Sequence, residues 1–535
     1  MRVPVLIIGA GPAGLISSIL LSRAGIRSLT VERHASTSVH PKATALSTRT
    51  MELFRAWGID QRIRDLALPV EFSSSVRRTL SDPELERRSL GFPTADEASV
   101  FSPTSPAALA QDLLEPVLVD HARSYAQADV RFDTEVVDLD QRDGDVRVTL
   151  LDRISGVTSD VYARYVVAAD GANSPTRRRL GIAMQGVERI GDYLSILFRA
   201  DVASIVGPEM HGLYLVQALG GPMPAVVLPT SNDGRWILAA PWRADMQPAS
   251  SLTPADLVDL VRRAAGRVDL DVQLLGSSLI GIGAQVAERF RDGNVFLVGD
   301  AAHRTAPTGG TGMNTAIQAA HNLMWKLAAV LTGTAGPALL DTYEPERRPS
   351  GERNLLRSRG QLQGVSGVAA DLGVVYSSGS IVAGQSEERP AVIEPTSRAC
   401  VGSRAPHVWL EVNGIRVSTL DLFGNRLTLL TGARGHAWSD AARNVAQALD
   451  IPLGAVAIDG HDVRDGSGRW LDVYGIEADG AVLVRPDGHI AWRSHGAAVD
   501  ATATLEQVVA RVLGFVADDR RTALASLARD ERRCA

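Results

Sequence analysis

Lysine is almost missing from this 535-residue chain: Lys42 and Lys326 are the only two, and arginine carries the remaining positive charge. The net charge is −6 and no dense basic run occurs, which excludes nucleic acid and anionic membranes as expected partners. Cysteine is equally scarce. Cys400 and Cys534 have neither metal-site nor C-x-x-C spacing, so no metal site is expected, and they point to a reducing, cytoplasmic setting. No apolar run approaches the length needed to span a bilayer. What is present is the composition of a globular protein, 45% hydrophobic and 22% charged, long enough for roughly two to four domains.

One stretch organises the rest, Asn294 to Asn314. Val295-Phe-Leu-Val298 is a short β-rich run, ended by Gly299-Asp300 and followed by a loop with Pro307, Gly309, Gly310 and Gly312. From Asn314 to Leu331, apolar residues recur at helical spacing. Strand, acidic turn, glycine loop and helix N-terminus together can receive sugar or ribityl hydroxyls on the acid. The backbone N–H groups can receive negative charge, from a phosphate or a reduced flavin ring.

The N-terminus repeats that logic. Val3 to Ile8 is a buried strand, Gly9-Ala-Gly-Pro-Ala-Gly14 fits G-x-G-x-x-G, and Leu15 to Ala24 continue as an apolar helix. This motif explains the apolar start better than a signal peptide does. A second strand, Arg27 to Val31, ends in Glu32, eighteen residues after Gly14 and placed for a ribose 2′-hydroxyl. FAD or NAD is therefore expected.

Further along, Pro41 to Arg55 carries Lys42 and a helix expected to be capped by Thr48, with Arg49 placed to reach a pyrophosphate or substrate. From Ala67 to Ser102 the signal is weak, with one hairpin at most. Ala107 to Ala126 is an amphipathic helix bearing Gln111, Glu115 and His121. A hairpin from Val130 to Leu151 turns at Asp143-Gly144, and Tyr165 to Ala169 form a strand ending at Asp170-Gly171. Between Gln185 and Ile282 the pattern becomes short alternating strands. Residues 361–399 are a helix and a linker lining a cleft, and from Arg404 the chain restarts as a separate α/β unit.

These motifs resemble the single-component FAD-dependent aromatic hydroxylases of the para-hydroxybenzoate hydroxylase type, in the polyketide and phenol hydroxylase branch. The resemblance rests on Gly9 to Gly14 with Glu32, on Asp170-Gly171, and on Val298-Gly-Asp-Ala-Ala-His303 followed by Pro307 and Gly310 to Asn314. It implies an α/β fold: a discontinuous Rossmann-like FAD domain (1–184 and 283–399), an inserted antiparallel-sheet substrate domain (185–282), and a C-terminal thioredoxin-like domain without C-x-x-C (400–535). It also implies a cofactor-binding set of Gly9, Gly11, Pro12, Ala13, Gly14, Glu32, Arg33, Lys42, Gln111, Asp170, Gly171, Gly299, Asp300, Pro307, Gly310, Gly312, Met313 and Asn314. Pro307 and Lys42 are the catalytic candidates. Lys42 departs from the family's usual Arg, replacing a planar fork of donors with a mobile point charge.

The implied function is a monooxygenase with non-covalent FAD. NADPH or NADH reduces the flavin, dioxygen is captured as a hydroperoxide, and the distal oxygen passes to a multi-ring aromatic. Baeyer–Villiger oxygen insertion is the alternative within the class, and a non-catalytic flavoprotein the alternative outside it. No W-x-W pair marks a halogenase. His303 is expected to be a structural hydrogen-bonding residue more than a base, and a homodimer remains open.

Overall fold

Val5 to Ile8 have no exposed face, as a strand must when helices cover both sides of its sheet. Arg2–Ile8 lies at the centre of a parallel sheet, between Thr158–Ala168 and Ser28–Val31. Val295–Leu297 and Ala128–Arg131 extend it outward, also in parallel. The structure is a computed structural model and describes all residues except 143, 221–222, 244–247, 385–389 and 516–535. Asp143 of the expected turn and Cys534 lie outside the described residues. The expected hairpin starts later than the sequence indicated. Val130 belongs to the parallel strand Ala128–Arg131, and the antiparallel pair is Thr134–Arg142 with Asp145–Asp152, set off by Asp133 at φ 50°.

The second sheet has eight strands. In spatial order they are His303–Arg304, Gln273–Ala287, Met184–Arg199, Arg235–Trp242, Ala225–Pro229, His211–Val216, Glu71–Arg77 and Glu86–Ser89. Its last two strands come from the stretch of weak signal, well outside 185–282. Alternation fixes its faces. Leu194, Ile196, Phe198, Tyr214, Val227, Trp236 and Leu238 pack one core, which takes in Val261 and Ala264 of helix Pro254–Ala265. The intervening residues form the opposite face, where Ser195 Oγ lies 2.8 Å from His40 Nε2.

The C-terminal unit orders its strands Leu453–Ala457, Leu427–Thr431, Ala481–Val484 and Ile490–Ser494, with only the first pair parallel. Helices His436–Leu449 and Ala501–Val512 complete it. The strand-like run Val456-Ala-Ile-Asp459 belongs to this pair only in part: the strand is Leu453–Ala457, and Asp459 sits beyond its end at φ 59°.

Buried charge joins this unit to the first domain. Glu346, Lys326 and Arg485 have no exposed side-chain surface. Glu346 receives Arg485 through two bonds of 2.7 and 2.8 Å, and Lys326 Nζ at 2.7 Å. Beside them, Glu52 is gripped by Arg404 and by Arg49 Nη1 at 2.9 Å, while Arg49 Nη2 donates to the Asp487 carbonyl at 2.7 Å. Arg49 is thus tied to the C-terminal unit, not free to reach a pyrophosphate. Its helix, Thr48–Trp57, is capped by Ser47, one residue before the expected Thr48.

Candidate active site

Helix Pro12–Arg23 begins at Gly11, and no side chain caps it. Pro12 at its first position has no N–H to lose there, so the remaining first-turn N–H groups are open to an anion. A Cβ on Gly14 would collide with the Gly9 carbonyl, and one on Gly9 with the Ala169 carbonyl. Gly11 has nothing within 4 Å of the same position, leaving the approach a pyrophosphate needs. Glu32 accepts from Ala10 N–H at 3.0 Å and from His34, which leaves lone pairs for ribose hydroxyls. Arg33 is exposed beside it.

Helix Thr311–Leu331 starts three residues before the sequence suggested, because Gly310 takes φ 60° and ends the loop. Its N-terminus is also uncapped. Gly299, at φ 65°, is wedged between the two helices: its Cβ would lie 3.2 Å from Ala13 Cβ and 3.3 Å from Ala316 Cβ. Two open helix N-termini therefore converge beside Asp300. That carboxylate is reached by solvent yet enclosed by protein, as a group lining a cleft would be. Burial pushes its pKa up, opposed by Lys42 and Arg304.

Lys42 is exposed and makes no hydrogen bond or ion pair among the described residues, yet its charge is felt at three places. It opposes the upward push that burial gives Asp300 and Glu115, and it adds to the burial that depresses His40. The loop carrying it is well held. His40 Nε2 lies 2.8 Å from Ser195 Oγ, and Ser38 N–H donates to Glu115 at 2.8 Å. Gln111 N–H bonds the Ala43 carbonyl at 2.8 Å, and its side-chain amide donates to Glu115 at 2.7 Å.

Asn314, Met313 and Gly312 lie in the first turn of their helix. Asn314 uses its amide on backbone, accepting from Ser47 N–H at 2.9 Å and donating to the Ala45 and Gly310 carbonyls at 3.0 and 2.7 Å. It clamps the Lys42 segment to the glycine loop. Met313 is buried, and a Cβ on Gly312 would meet Thr305 Oγ1 at 3.1 Å. Pro307 is exposed, and its carbonyl accepts from Gly310 N–H at 3.1 Å. Asp170 accepts from Thr176 N–H at 3.0 Å, and its other oxygen is buried without a partner among the described residues; Gly171 follows at φ 81°.

His303 differs from expectation. Neither ring nitrogen has a partner among the described residues, and burial lowers its pKa to about 3. It packs 6.1 Å from the Phe290 ring, centroid to centroid, as a neutral space-filler and not as a hydrogen-bonding residue.

Three features escaped the sequence. Leu215, Val226, Ala239 and Ser195 form one row across four adjacent strands, on the face opposite the sheet's own core. The first three are half-buried. Because His40 meets Ser195, this row faces the Lys42 loop and forms an apolar wall to the cleft. Arg357 is half-buried without a hydrogen-bond partner among the described residues, its Nε 3.6 Å from where a Gly309 Cβ would stand. Glu115 orients Gln111. The first two depend on contacts that no local spacing encodes; Gln111 and Glu115 stand four apart on one helix, a pairing that the spacing allowed.

Among the described residues no three His, Cys, Asp or Glu side chains gather as a metal would need, and no helix is long and apolar enough to cross a membrane. The site's donors and glycine cradles suit a dinucleotide with a second, charge-accepting ring system.

Comparison with known proteins agrees. Residues 2–358 match the family described as FAD binding domain, and 398–515 match aromatic-ring hydroxylase, C-terminal. The chain is 36% identical to the tetracenomycin A2 monooxygenase-dioxygenase of Streptomyces glaucescens, over 96% of this chain and 97% of that one. It is also 36% identical to the 4-methyl-5-nitrocatechol 5-monooxygenase of Burkholderia sp, over 96% and 98%. The crystal structure of aklavinone-11 hydroxylase with FAD and aklavinone superposes with a TM-score of 0.88 at 34% identity, over 96% of this chain and 99% of that one. With one family pattern spanning most of its length and relatives matched end to end, the chain belongs to the FAD-dependent aromatic-ring hydroxylases, in the branch of the polyketide and phenol hydroxylases.

Proposed function

We propose that the chain hydroxylates an electron-rich, multi-ring aromatic of polyketide type in the cytoplasm, using NADPH or NADH and dioxygen with FAD held non-covalently. One observation carries this function: two uncapped helix N-termini, Asp300 and the unpartnered Lys42 converge on a single cleft with an apolar wall. FAD, when bound, supplies hydride acceptance and the activation of dioxygen for transfer to an aromatic ring.

The chain's own residues supply the rest. The first turn of Pro12–Arg23 holds the pyrophosphate and Glu32 the adenosine ribose. Asp300 accepts from hydroxyls of the flavin side chain. The N-terminus of Thr311–Leu331 stabilises negative charge on the flavin ring. Lys42 favours an ionised, oxygen-bearing edge of the substrate, and the Leu215–Val226–Ala239 row orients its rings by apolar contact. His40, kept neutral by burial despite Asp112, positions the Lys42 loop through Ser195. The relatives act on both multi-ring and single-ring compounds, and the width of the wall supports the larger class.

Purified protein should be yellow, and acid precipitation should release the flavin. A panel of polyphenolic polyketides, assayed for NADPH consumption and product mass, tests the reaction. A product heavier by one oxygen, with its carbocycle intact, is expected. Ring-expanded lactones would mark Baeyer–Villiger insertion, and NADPH consumption unaffected by any aromatic would sink the proposal.

A further inference from the structure

A cavity of about 410 Å³ lies at the seam between the first domain and the C-terminal unit. It is separate from the flavin cleft. Ala329 lines it, and at 1.5 Å per residue Ala329 stands about 27 Å along its helix from Thr311. Its size falls within the range of small-molecule sites.

Its walls are apolar and aromatic: Trp57, Trp325, Phe423 and Leu513 contribute, with the small Ala329 opening the space between them. His321 lines it too, its ring edge-on to Trp57 at 5.6 Å between centroids. No hydrogen bond engages that imidazole among the described residues. Burial holds it neutral, with a pKa of about 3, so it offers one donor and one acceptor. The acids on the lining are already consumed. Glu52 is held by Arg404 and Arg49, and Asp487 by Arg485. Two cations on the lining are not matched by carboxylates. Among the described residues, Arg23 donates only to the Ala56 and Trp57 carbonyls, at 3.2 and 3.3 Å. Arg426 is exposed beside Gly454 and has no ion pair among the described residues.

We infer that this seam cavity is a second binding site, for an amphipathic aromatic anion whose ring lies among Trp57, Trp325 and Phe423 and whose charge meets Arg426. Such an occupant touches both helices that begin at the flavin loops: Thr48–Trp57, which follows the Lys42 segment, and Thr311–Leu331, which follows the glycine loop. The site is thereby connected to the cleft through rigid elements.

The test titrates the oxidised holoenzyme, without NADPH, with 2-naphthoate and with uncharged 2-naphthol by calorimetry. Wild type should bind 2-naphthoate saturably and more tightly than 2-naphthol. Arg426→Gln should weaken 2-naphthoate about tenfold, the size of one lost hydrogen bond to a charged group, and leave 2-naphthol within about twofold. Ala329→Phe, which fills the space, should abolish the Arg426-dependent binding of 2-naphthoate while flavin content stays normal. Absence of 2-naphthoate binding to wild type would overturn the inference. So would binding unchanged in Arg426→Gln, which retains the fold because the side chain is exposed, since the ligand would then be in the flavin cleft or on the surface.

Discussion

The chain's two lysines occupy opposite kinds of site. Lys326 has no exposed side-chain surface and is bonded to Glu346 and Asn322, inside a seam where Arg485 and Asp487 complete the pairing. Lys42 is exposed to a cleft and bonded to nothing among the described residues, although Asp300 and Glu115 feel its charge. Charges that are buried and paired hold domains in register. A charge left exposed to a cleft without a partner is free to meet a ligand, and that is the role the proposed function gives Lys42. On that proposal, the difference separates a group that maintains the fold from one that takes part in the chemistry.

The seam should show the largest effect when that pairing is broken. Glu346→Ala leaves Lys326 and Arg485 buried without their shared carboxylate, a loss of about 3–5 kcal/mol, read as a lower denaturation midpoint. A midpoint near wild type would mean the seam is wet or its charges are neutralised otherwise. In the cleft, Asp300→Asn removes an acceptor without leaving a buried charge behind. FAD affinity should fall by about ten- to hundredfold while the melting temperature of the apoprotein stays close to wild type. Equal losses in both would merge the two classes of site.

Acid should weaken the seam and the core before it affects the glycine turns. His303 and His407 are depressed by burial, to about 3 and about 4, so the unfolded chain binds their protons first. Stability is fully present above the unfolded value of 6.5 and falls as pH drops from there toward 4. The slope is about 1.4 kcal/mol per pH unit for each histidine, and Glu346 and Asp487 add their own loss below the ordinary carboxylate range. A denaturation midpoint flat between pH 6.5 and 4.5 would contradict this. The smallest effect belongs to His303→Phe. With no hydrogen bond to lose and an apolar neighbour in Phe290, the variant should hydroxylate within about twofold of wild type and melt no lower. A hundredfold loss would return His303 to the role of base.

The glycine turns, Glu32 and Gly299-Asp300 were legible because each is fixed by local spacing. A tight turn demands glycine wherever the partner strand sits. Helix starts were read less well. Thr48 resembles a cap as well as Ser47 does, and Gly310 ends its loop by a positive φ that apolar periodicity does not register. Arg49 was expected to reach a pyrophosphate or substrate because sequence shows only that it follows the adenosine motif. Its partner carbonyl belongs to Asp487, 438 residues away. The one hairpin allowed between Ala67 and Ser102 forms, as Glu71–Arg77 with Glu86–Ser89, but its place in the second sheet was invisible for the same reason, since the other partner of Glu71–Arg77 is His211–Val216.

The contrast between the lysines is tested most directly by Lys42→Met, assayed for hydroxylated product per bound flavin. Flavin content and melting temperature should match wild type, while product formation falls about tenfold or more, the cost of one charged contact in a closed site. Product formation at the wild-type rate would make Lys42 an ordinary surface residue and contradict the account of the cleft.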